Sequence, residues 1–257
     1  MSTSRILLLD LDHTLYPSTS PTLEAVDARI TTFIETTLSV PTGQADQMRR
    51  NLCGEYGTTL RGLELLHGVS REVYTTFIQD LGDHLMPTND PRMRAWLSTA
   101  ARHMPTYLFT NARRDWADRC LLHLGISDLV ETRSDAEVEA LASEGVRGIF
   151  DIDFMEWVGK PHASAFEKVE NFLVAKHASQ GYSDFEYIFA DDRLDNLDGA
   201  RARGWQTIWV RPHTAAPGGA MNGGAPGMEN AAVTAIAKAG GHRVVDSLLD
   251  LDPEKLE

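Results

Sequence analysis

The stretch RILLLDLDHTLYP, residues 5–17, decides how the fold is interpreted. Its apolar run predicts a buried strand that leads directly into Asp10, and a second carboxylate, Asp12, follows two residues later. Acidic residues are poor strand formers and are costly to bury unpaired. Residues i and i+2 of an extended segment point to the same side, so both carboxylates can face one cavity. The stretch therefore predicts a strand that ends at a functional site.

Composition limits the possible classes of function. The chain has 257 residues, which suits one large domain or a core domain with a smaller companion. A formal net charge of −13 argues against binding to nucleic acid or to an anionic membrane surface. The sequence shows no apolar run of membrane-spanning length and no secretory signal. Cys53 and Cys120 form neither a zinc motif nor a disulfide framework, which favours reduced thiols and a cytoplasmic location.

Strand and helix patterns alternate along the second half of the chain. Strands are predicted at 106–110, 186–192 and 205–210, and GIFDIDF (148–154) is strand-like. Helices are predicted among them at the following positions: 113–124, 162–178 and 193–204. This alternation is typical of an α/β domain with a mainly parallel sheet. The segment 212–230, rich in Gly, Pro and Ala, is interpreted as a loop or insertion, and the tail as a short strand and helix.

A block of helices is predicted between the first two strands. The expected helices are 21–38, 43–56, 58–67, 71–81 and 91–103. Ser20 is the expected N-cap of the first of them, with Pro21 as its first helical residue. These patterns divide the chain into an α/β core, residues 1–16 and 104–257, and a helical domain over residues 17–103.

Polar residues follow three of the predicted strands. They are Asp10 and Asp12, Thr110 and Asn111, and Asp191 and Asp192. In an open parallel sheet the carboxyl ends of the strands meet at one edge, where ligands bind. Each pair alone has an ordinary alternative as a strand end or helix cap, but three such pairs in one chain favour a site. Neighbouring carboxylates repel each other, and their hard oxygen ligands suit Mg²⁺.

Four motifs occur in order at these positions. They are DLDHTL (10–15), FTN (109–111), the Lys160-Pro161 pair in GKPHASAF (159–166) and FADDRLDN (189–196). With these motifs the chain resembles phosphatases of the haloacid dehalogenase (HAD) superfamily. The resemblance implies a Rossmann-like three-layer α/β/α core with a parallel sheet. It also implies a helical cap domain inserted after the first strand.

The resemblance implies a role for each polar residue of these motifs. Asp10 is the expected nucleophile and forms an aspartyl-phosphate, while Asp12 protonates the leaving group and then activates water. Thr110 and the amide of Asn111 are expected to hold phosphate oxygens, and Lys160 balances the negative charge. The expected Mg²⁺ ligands are Asp10, the backbone carbonyl of Asp12, and the carboxylate of Asp192, which binds directly. Asp191 is expected to act beside Asp192, either as a ligand through water or without contact to the ion. Asn196 is expected to orient this loop.

The helical block suggests a substrate. Together with LDHTLYP and KPHASAF, the stretch YGTTLRGL (56–63) resembles the pyrimidine 5'-nucleotidase group of this superfamily. The match implies nucleoside monophosphates such as UMP or CMP, with Tyr56, Thr59 and Arg61 over the pocket. Arg113 or Arg193 is expected to add positive charge, although Arg193 replaces the small residue that is usual after the acidic pair.

Three alternatives remain open from the sequence. The substrate of a phosphatase can be another small phosphomonoester, such as a sugar phosphate or phosphoglycolate. A phosphomutase shares the core motifs but produces an isomer instead of free phosphate. A non-enzymatic binding protein can use the same fold, since fold does not fix function, but all the catalytic acids and Lys160 are intact here.

Overall fold

A computed structural model describes residues 4–130, 146, 148–178, 185–212 and 230–256 of the chain. Within these residues there is one six-stranded sheet, in which every neighbouring pair is parallel and the order is 3-2-1-4-5-6. The strands are β1 (Ser4–Leu9), β2 (Thr106–Phe109), β3 (Ile149–Phe150), β4 (Phe185–Asp191), β5 (Gln206–Val210) and β6 (Arg243–Val245). The predicted parallel α/β sheet is confirmed.

Nine α-helices lie in the same described ranges. They are α1 (Thr22–Leu38), α2 (Thr42–Tyr56), α3 (Thr59–His67), α4 (Arg71–Gln79), α5 (Pro91–His103), α6 (Arg114–His123), α7 (Ala163–Ala178), α8 (Leu194–Arg201) and α9 (Asn230–Ala239). Each helix predicted before residue 205 is present, with ends that differ by up to three residues. Among the described helices, none is both long and apolar enough to cross a membrane.

Three local predictions were wrong in detail. Helix α1 begins one residue later than predicted, with Pro21 instead of Ser20 as its N-cap. The Ser20 hydroxyl pairs with the Thr22 hydroxyl at 2.7 Å and does not cap a backbone amide. The strand-like stretch 148–154 is extended only at β3, since the Asp151 carboxylate accepts a hydrogen bond from the Phe154 amide and the chain turns there. The tail forms β6 and then a single 3₁₀ turn in place of a helix. The predicted 212–230 loop falls outside the described residues, apart from its first and last residue.

Helices cover both faces of the sheet because β1 is apolar on both sides. Leu7 and Leu9 share an apolar cluster with buried residues of α5 and α6. Ile6 and Leu8 share a second cluster with buried residues of α7 and α8. A central parallel strand that is buried on both faces has a continuous apolar run in its sequence, as β1 does. The sheet is therefore the middle layer of a three-layer α/β/α core.

The helices between β1 and β2 fall into two groups. Helices α1–α4 share a separate apolar cluster whose buried members include Phe33, Ile34 and Leu63. Helix α5, in contrast, places Trp96 and Leu97 in the cluster that covers the sheet. The division at residue 103 stays a prediction, but these contacts favour a boundary before α5. Helices α1–α4 are called the cap helices below.

Candidate active site

The register of the sheet brings the predicted polar residues to one edge. Leu9, the last residue of β1, lies opposite Leu108 on β2 and Ala190 on β4. Asp10 is therefore level with the ends of both neighbouring strands, and its amide donates to the carbonyl of Ala190 at 2.9 Å. Because the three strands are parallel, the residues that follow them converge at this edge.

Lys160 lies under this edge and is only 1% exposed. Its ammonium group donates to the Asp10 Oδ1 at 2.8 Å, the Asp191 Oδ2 at 2.7 Å and the Phe109 carbonyl at 2.6 Å. Burial by itself lowers the pKa of Lys160, but Asp10 and Asp191 outweigh it and leave that pKa above its usual value. Lys160 is thus a permanent buried cation between two of the acids.

The two adjacent acids at the carboxyl end of β4 have different surroundings. The Asp191 carboxylate also accepts hydrogen bonds from the Asn196 amide group at 3.0 and 3.1 Å, and from the Arg193 backbone at 2.8 Å. The Asp192 carboxylate has only His13 Nδ1 within ion-pair range, at 3.5 Å, among the described residues. Asp191 therefore has few lone pairs left for a ligand, whereas Asp192 keeps most of its own.

The donor set of this edge fits a divalent cation. Asp10, Asp191 and Asp192 are buried and each offers an oxygen within 4.8 Å of the others. Burial raises the pKa of Asp10 well above its usual range; Lys160 lowers it, and the neighbouring acids raise it further. Three carboxylates facing one lysine leave uncompensated negative charge, and hard oxygen ligands of this kind suit Mg²⁺. The cluster does not include the Asp12 carboxylate.

Asp12 is held away from the three-carboxylate cluster. Its Oδ1 accepts hydrogen bonds from the Tyr16 hydroxyl at 2.5 Å and from the indole N–H of Trp116 at 3.3 Å. Burial raises the pKa of Asp12, while the bonds from Tyr16 and Trp116 oppose that rise. A carboxyl group with a raised pKa is suited to carry a proton.

Thr110 and Asn111 follow β2 at the same edge. The Thr110 hydroxyl is buried and accepts a hydrogen bond from the Ala112 amide at 3.0 Å. The Asn111 side chain makes a reciprocal pair with the backbone of Lys160: its Nδ2 donates to the carbonyl at 2.8 Å and its Oδ1 accepts from the amide at 2.9 Å. The side chain of Asn111 therefore positions Lys160, and only its backbone amide is left for the predicted phosphate contact.

A cavity of about 270 Å³ lies between this edge and the cap helices. Its floor contains the polar residues Asp10, Asp12, Thr110, Asn111, Lys160 and Asp192. Its roof is largely apolar, with residues of α1, the start of α3, and α4. Two tryptophans, Trp116 and Trp157, form part of the wall. The predicted motif residues therefore face a pocket, between the core and the cap helices, that is large enough for a small ligand.

Two predicted substrate residues do not line this cavity. Tyr56 packs at the edge of the cap-helix cluster, and the guanidinium of Arg61 lies 3.9 Å from Glu64 on the same helix. Thr58 caps α3 by accepting from the backbone of Arg61, and residues 58–60 face the cavity in its place. The start of α3 thus turns Arg61 away from the site.

Two arginines connect the core to the cap helices across the cavity. Arg113 donates to the Thr75 hydroxyl at 3.1 Å, and Arg193 lies 3.7 Å from the Cys53 sulfur while pairing with Asp195. Both line the cavity, and the expectation that one of them adds positive charge for the substrate stays a prediction. Sequence reasoning missed Tyr16, Trp116 and Trp157. Trp116 carries no local signal, because its contact to Asp12 joins residues 104 positions apart. Tyr16, in contrast, lies only four residues after Asp12, directly behind the first motif.

Comparison with curated proteins gives a distant relative, and no family model matches the chain. The chain is 25% identical over 210 residues to Phosphate metabolism protein 8 of Saccharomyces cerevisiae. The match covers 78% of this chain and 59% of that protein, so the chain spans less than two thirds of the relative's length.

Solved structures share the architecture. YfnB of Bacillus subtilis, named as a HAD-hydrolase and bound to magnesium, matches with a TM-score of 0.53 at 15% identity over 97% of both chains. L-2-haloacid dehalogenase of Xanthobacter autotrophicus matches with a TM-score of 0.52 at 17% identity over 98% of this chain and 97% of its own. At these identities the likeness concerns the fold alone: the chain has the haloacid dehalogenase fold, with the predicted Rossmann-like core.

Proposed function

We propose that the protein is a Mg²⁺-dependent phosphomonoester hydrolase that works through an aspartyl-phosphate on Asp10. The observation that carries the proposal is the separation of the acids. Asp10 is bonded to Lys160 on the cavity floor, while Asp12 is held apart by its own hydrogen bonds. This separation supports Asp10 as the attacking carboxylate and Asp12, with its raised pKa, as the group that transfers a proton.

The first step uses the two acids in different roles. Lys160 binds the Oδ1 of Asp10 and leaves Oδ2 to attack phosphorus, while Thr110 and the backbone amide of Asn111 hold phosphoryl oxygens. The bond from phosphorus to the ester oxygen breaks, and Asp12 gives its proton to that oxygen. In the second step Asp12 takes a proton from water, which attacks phosphorus and restores the Asp10 carboxylate.

The cation would be held by Asp10, Asp192 and the backbone carbonyl of Asp12, with Asp191 beside them. When bound it neutralises charge on the phosphoryl oxygens during transfer. The Asp191 carboxylate is already bonded to Lys160 and Asn196, so Asp192 is the expected direct carboxylate ligand.

For the substrate we propose a nucleoside monophosphate of the UMP or CMP type. The support is the wall above the floor, where Trp116, Trp157 and Tyr74 offer aromatic surface. A small sugar phosphate or phosphoglycolate is the second candidate. It is favoured by the cavity volume of about 270 Å³, which lies just below the roughly 300–1,000 Å³ of common ligand sites.

Phosphate release from a panel of esters, with and without Mg²⁺, tests both levels of the proposal. The panel contains nucleoside monophosphates, ribose 5-phosphate and phosphoglycolate. We expect Mg²⁺-dependent release with UMP or CMP preferred. Preference for a sugar phosphate would reject the nucleotidase assignment and keep the phosphatase, and isomerisation without phosphate release would identify a mutase.

Halide release belongs in the same panel because a dehalogenase shares the fold. By the resemblance, such dehalogenases lack an acid at the position of Asp12, since a departing halide needs no proton. We therefore expect no chloride release from 2-chloropropionate. Chloride release without phosphatase activity would overturn the proposed reaction.

Removal of the metal ligand Asp192 gives a specific prediction. In Asp192→Asn we expect the Mg²⁺ concentration for half-maximal activity to rise by at least about 10- to 100-fold, the cost seen when even an outer-shell partner is lost. Mg²⁺ should also raise the thermal midpoint of the wild type, because a ligand that binds only the native state stabilises it. That increase should be absent in the variant.

Asp246→Asn is the matched control for this variant. Asp246 is an exposed acid that pairs with Arg211 after β6, the outermost strand on that side of the sheet, and it does not line the cavity. Its loss should therefore leave the response to Mg²⁺ unchanged. An unaltered Mg²⁺ dependence in Asp192→Asn would show that the cation, if required, is held elsewhere.

A further inference from the structure

The Asp12 carboxylate is anchored through one of its two oxygens. The Tyr16 hydroxyl and the Trp116 indole N–H both donate to Oδ1, at 2.5 and 3.3 Å. Tyr16 follows Asp12 by one short turn, whereas Trp116 comes from α6 on the next layer. Two donors from separate elements therefore fix the same oxygen.

Both donors are themselves held in place by packing. Tyr16 and Trp116 are 3% and 7% exposed and belong to the apolar cluster between the sheet and helices α5 and α6. Burial raises the pKa of the Tyr16 hydroxyl well above its usual value, and the nearby Asp12, Cys120 and Asp10 add to that rise. The hydroxyl consequently keeps its proton and remains a donor.

The consequence for Asp12 is a fixed orientation. The last torsion of an aspartate side chain is broad and roughly two-fold, so a free carboxyl group can turn either oxygen toward a substrate. With Oδ1 accepting two hydrogen bonds from neutral donors, a proton on Oδ1 is unfavourable and Oδ2 is the oxygen left to carry it. Misplacement of a reacting group by about 1 Å can cost on the order of 10²-fold in rate.

We infer that Tyr16 and Trp116 are positioning residues that hold Oδ1 of Asp12 and present Oδ2 as the proton carrier. The inference rests on the proposed function, since it assigns how the acid of that reaction is oriented. During the first step the proton leaves Oδ2 for the ester oxygen as the phosphorus–oxygen bond breaks. During the second step Oδ2 takes the proton from the attacking water.

The test uses the variants Tyr16→Phe and Trp116→Phe with two classes of ester. An alkyl ester such as UMP, or the ester the panel shows to be preferred, needs a proton on its leaving group. A good leaving group such as that of p-nitrophenyl phosphate does not. We expect each variant to lower kcat for the alkyl ester by about 10- to 100-fold. The loss for the phosphorylation step with p-nitrophenyl phosphate, measured as the burst, should be several times smaller.

Matched controls separate this effect from a loss of packing. Tyr107→Phe removes a buried hydroxyl that pairs with His177, and Trp96→Phe removes an indole that donates to the Leu251 carbonyl. Both lie in the core but away from the cavity lining. Neither should alter the ratio of the two ester activities, although both are expected to lower the thermal midpoint.

A double-variant comparison completes the test. In an Asp12→Asn background the proton carrier is absent, so Tyr16→Phe should produce little further loss of kcat. An equal loss for both esters, or a full additional loss in the Asp12→Asn background, would show that Tyr16 acts only through the fold. If the wild-type protein releases phosphate from no ester, the proposed function itself is refuted. If the wild type is active but the Tyr16 and Trp116 variants behave like the controls, only the positioning role is refuted.

Discussion

Asp10→Asn is expected to abolish turnover, with kcat falling on the order of 10⁴-fold or more, as when a covalent nucleophile is removed from other enzymes. The amide oxygen of Asn can still accept the hydrogen bond that Lys160 gives to Oδ1, so the local structure should survive. An amide lacks the negative charge that attacks phosphorus. The measurement is phosphate release at saturating substrate and Mg²⁺.

The covalent intermediate gives a second readout for the same residue. When the wild type is stopped with acid during turnover, the peptide containing Asp10 should carry one phosphoryl group by mass spectrometry. A single turnover in heavy-oxygen water should leave no label in the Asp10 carboxylate, because water attacks phosphorus. Label in that carboxylate would indicate an ester intermediate that water attacks at carbon, the chemistry expected of a dehalogenase.

Asp118→Asn is a suitable control for Asp10→Asn. Asp118 is exposed on α6 and pairs with Arg114 one helical turn away, an interaction that contributes little to stability. Its kcat should stay within about twofold of the wild type. Substantial Mg²⁺-dependent activity in Asp10→Asn beside a normal control would reject Asp10 as the nucleophile.

The sequence predicted the floor of the site but not its roof, for a physical reason. Asp10, Thr110 and Asp191 lie at the carboxyl ends of their strands, and parallel pairing brings such ends together whatever the helices do. The expectation that Tyr56 and Arg61 lie over the pocket rests, in contrast, on a motif that runs from the end of α2 into α3. Which face of α3 meets the cavity depends on how the cap helices pack against the core, and the motif does not encode that packing.

Contacts between distant segments were equally invisible in the sequence. The pair formed by Asn111 and the backbone of Lys160 joins residues 49 positions apart, and it assigns the Asn111 side chain a supporting role. From the family resemblance, Asp192 is the expected direct metal ligand and Asp191 acts beside it. The hydrogen bonds that Asp191 accepts from Lys160 and Asn196 supply a physical reason for that order, which the sequence alone does not contain.

Lys160→Met is expected to destabilise the fold as well as to inactivate the protein. Lys160 is buried between Asp10 and Asp191, and removing one partner of a buried ionic network typically costs about 3–5 kcal/mol because a charge remains unpaired. The free energy of unfolding should fall by that amount at pH 8 in the absence of Mg²⁺. Denaturant unfolding followed by circular dichroism measures this free energy.

Lys168→Met is the control for Lys160→Met. Lys168 forms a surface pair with Glu156, whose loss should cost under about 1 kcal/mol.

The loss of unfolding free energy in Lys160→Met should also depend on pH, and the directions of the pKa shifts decide whether it grows or shrinks as the pH falls. Burial raises the pKa of both Asp10 and Asp191, and Lys160 is the main group that opposes this rise. Without Lys160 both folded-state pKa values rise further above their unfolded values. A group of this kind favours the folded state at low pH, and that contribution is lost as the pH increases through its folded-state pKa.

The gap in unfolding free energy between wild type and Lys160→Met should therefore shrink as the pH falls from 8 toward 5. Mg²⁺ should reduce it as well, because a cation at the Asp10 and Asp192 carboxylates offsets part of the missing charge. A gap that stays constant over this pH range would mean that the variant loses packing alone. In that case the ionic role of Lys160 between the two acids would be wrong, even if activity were lost.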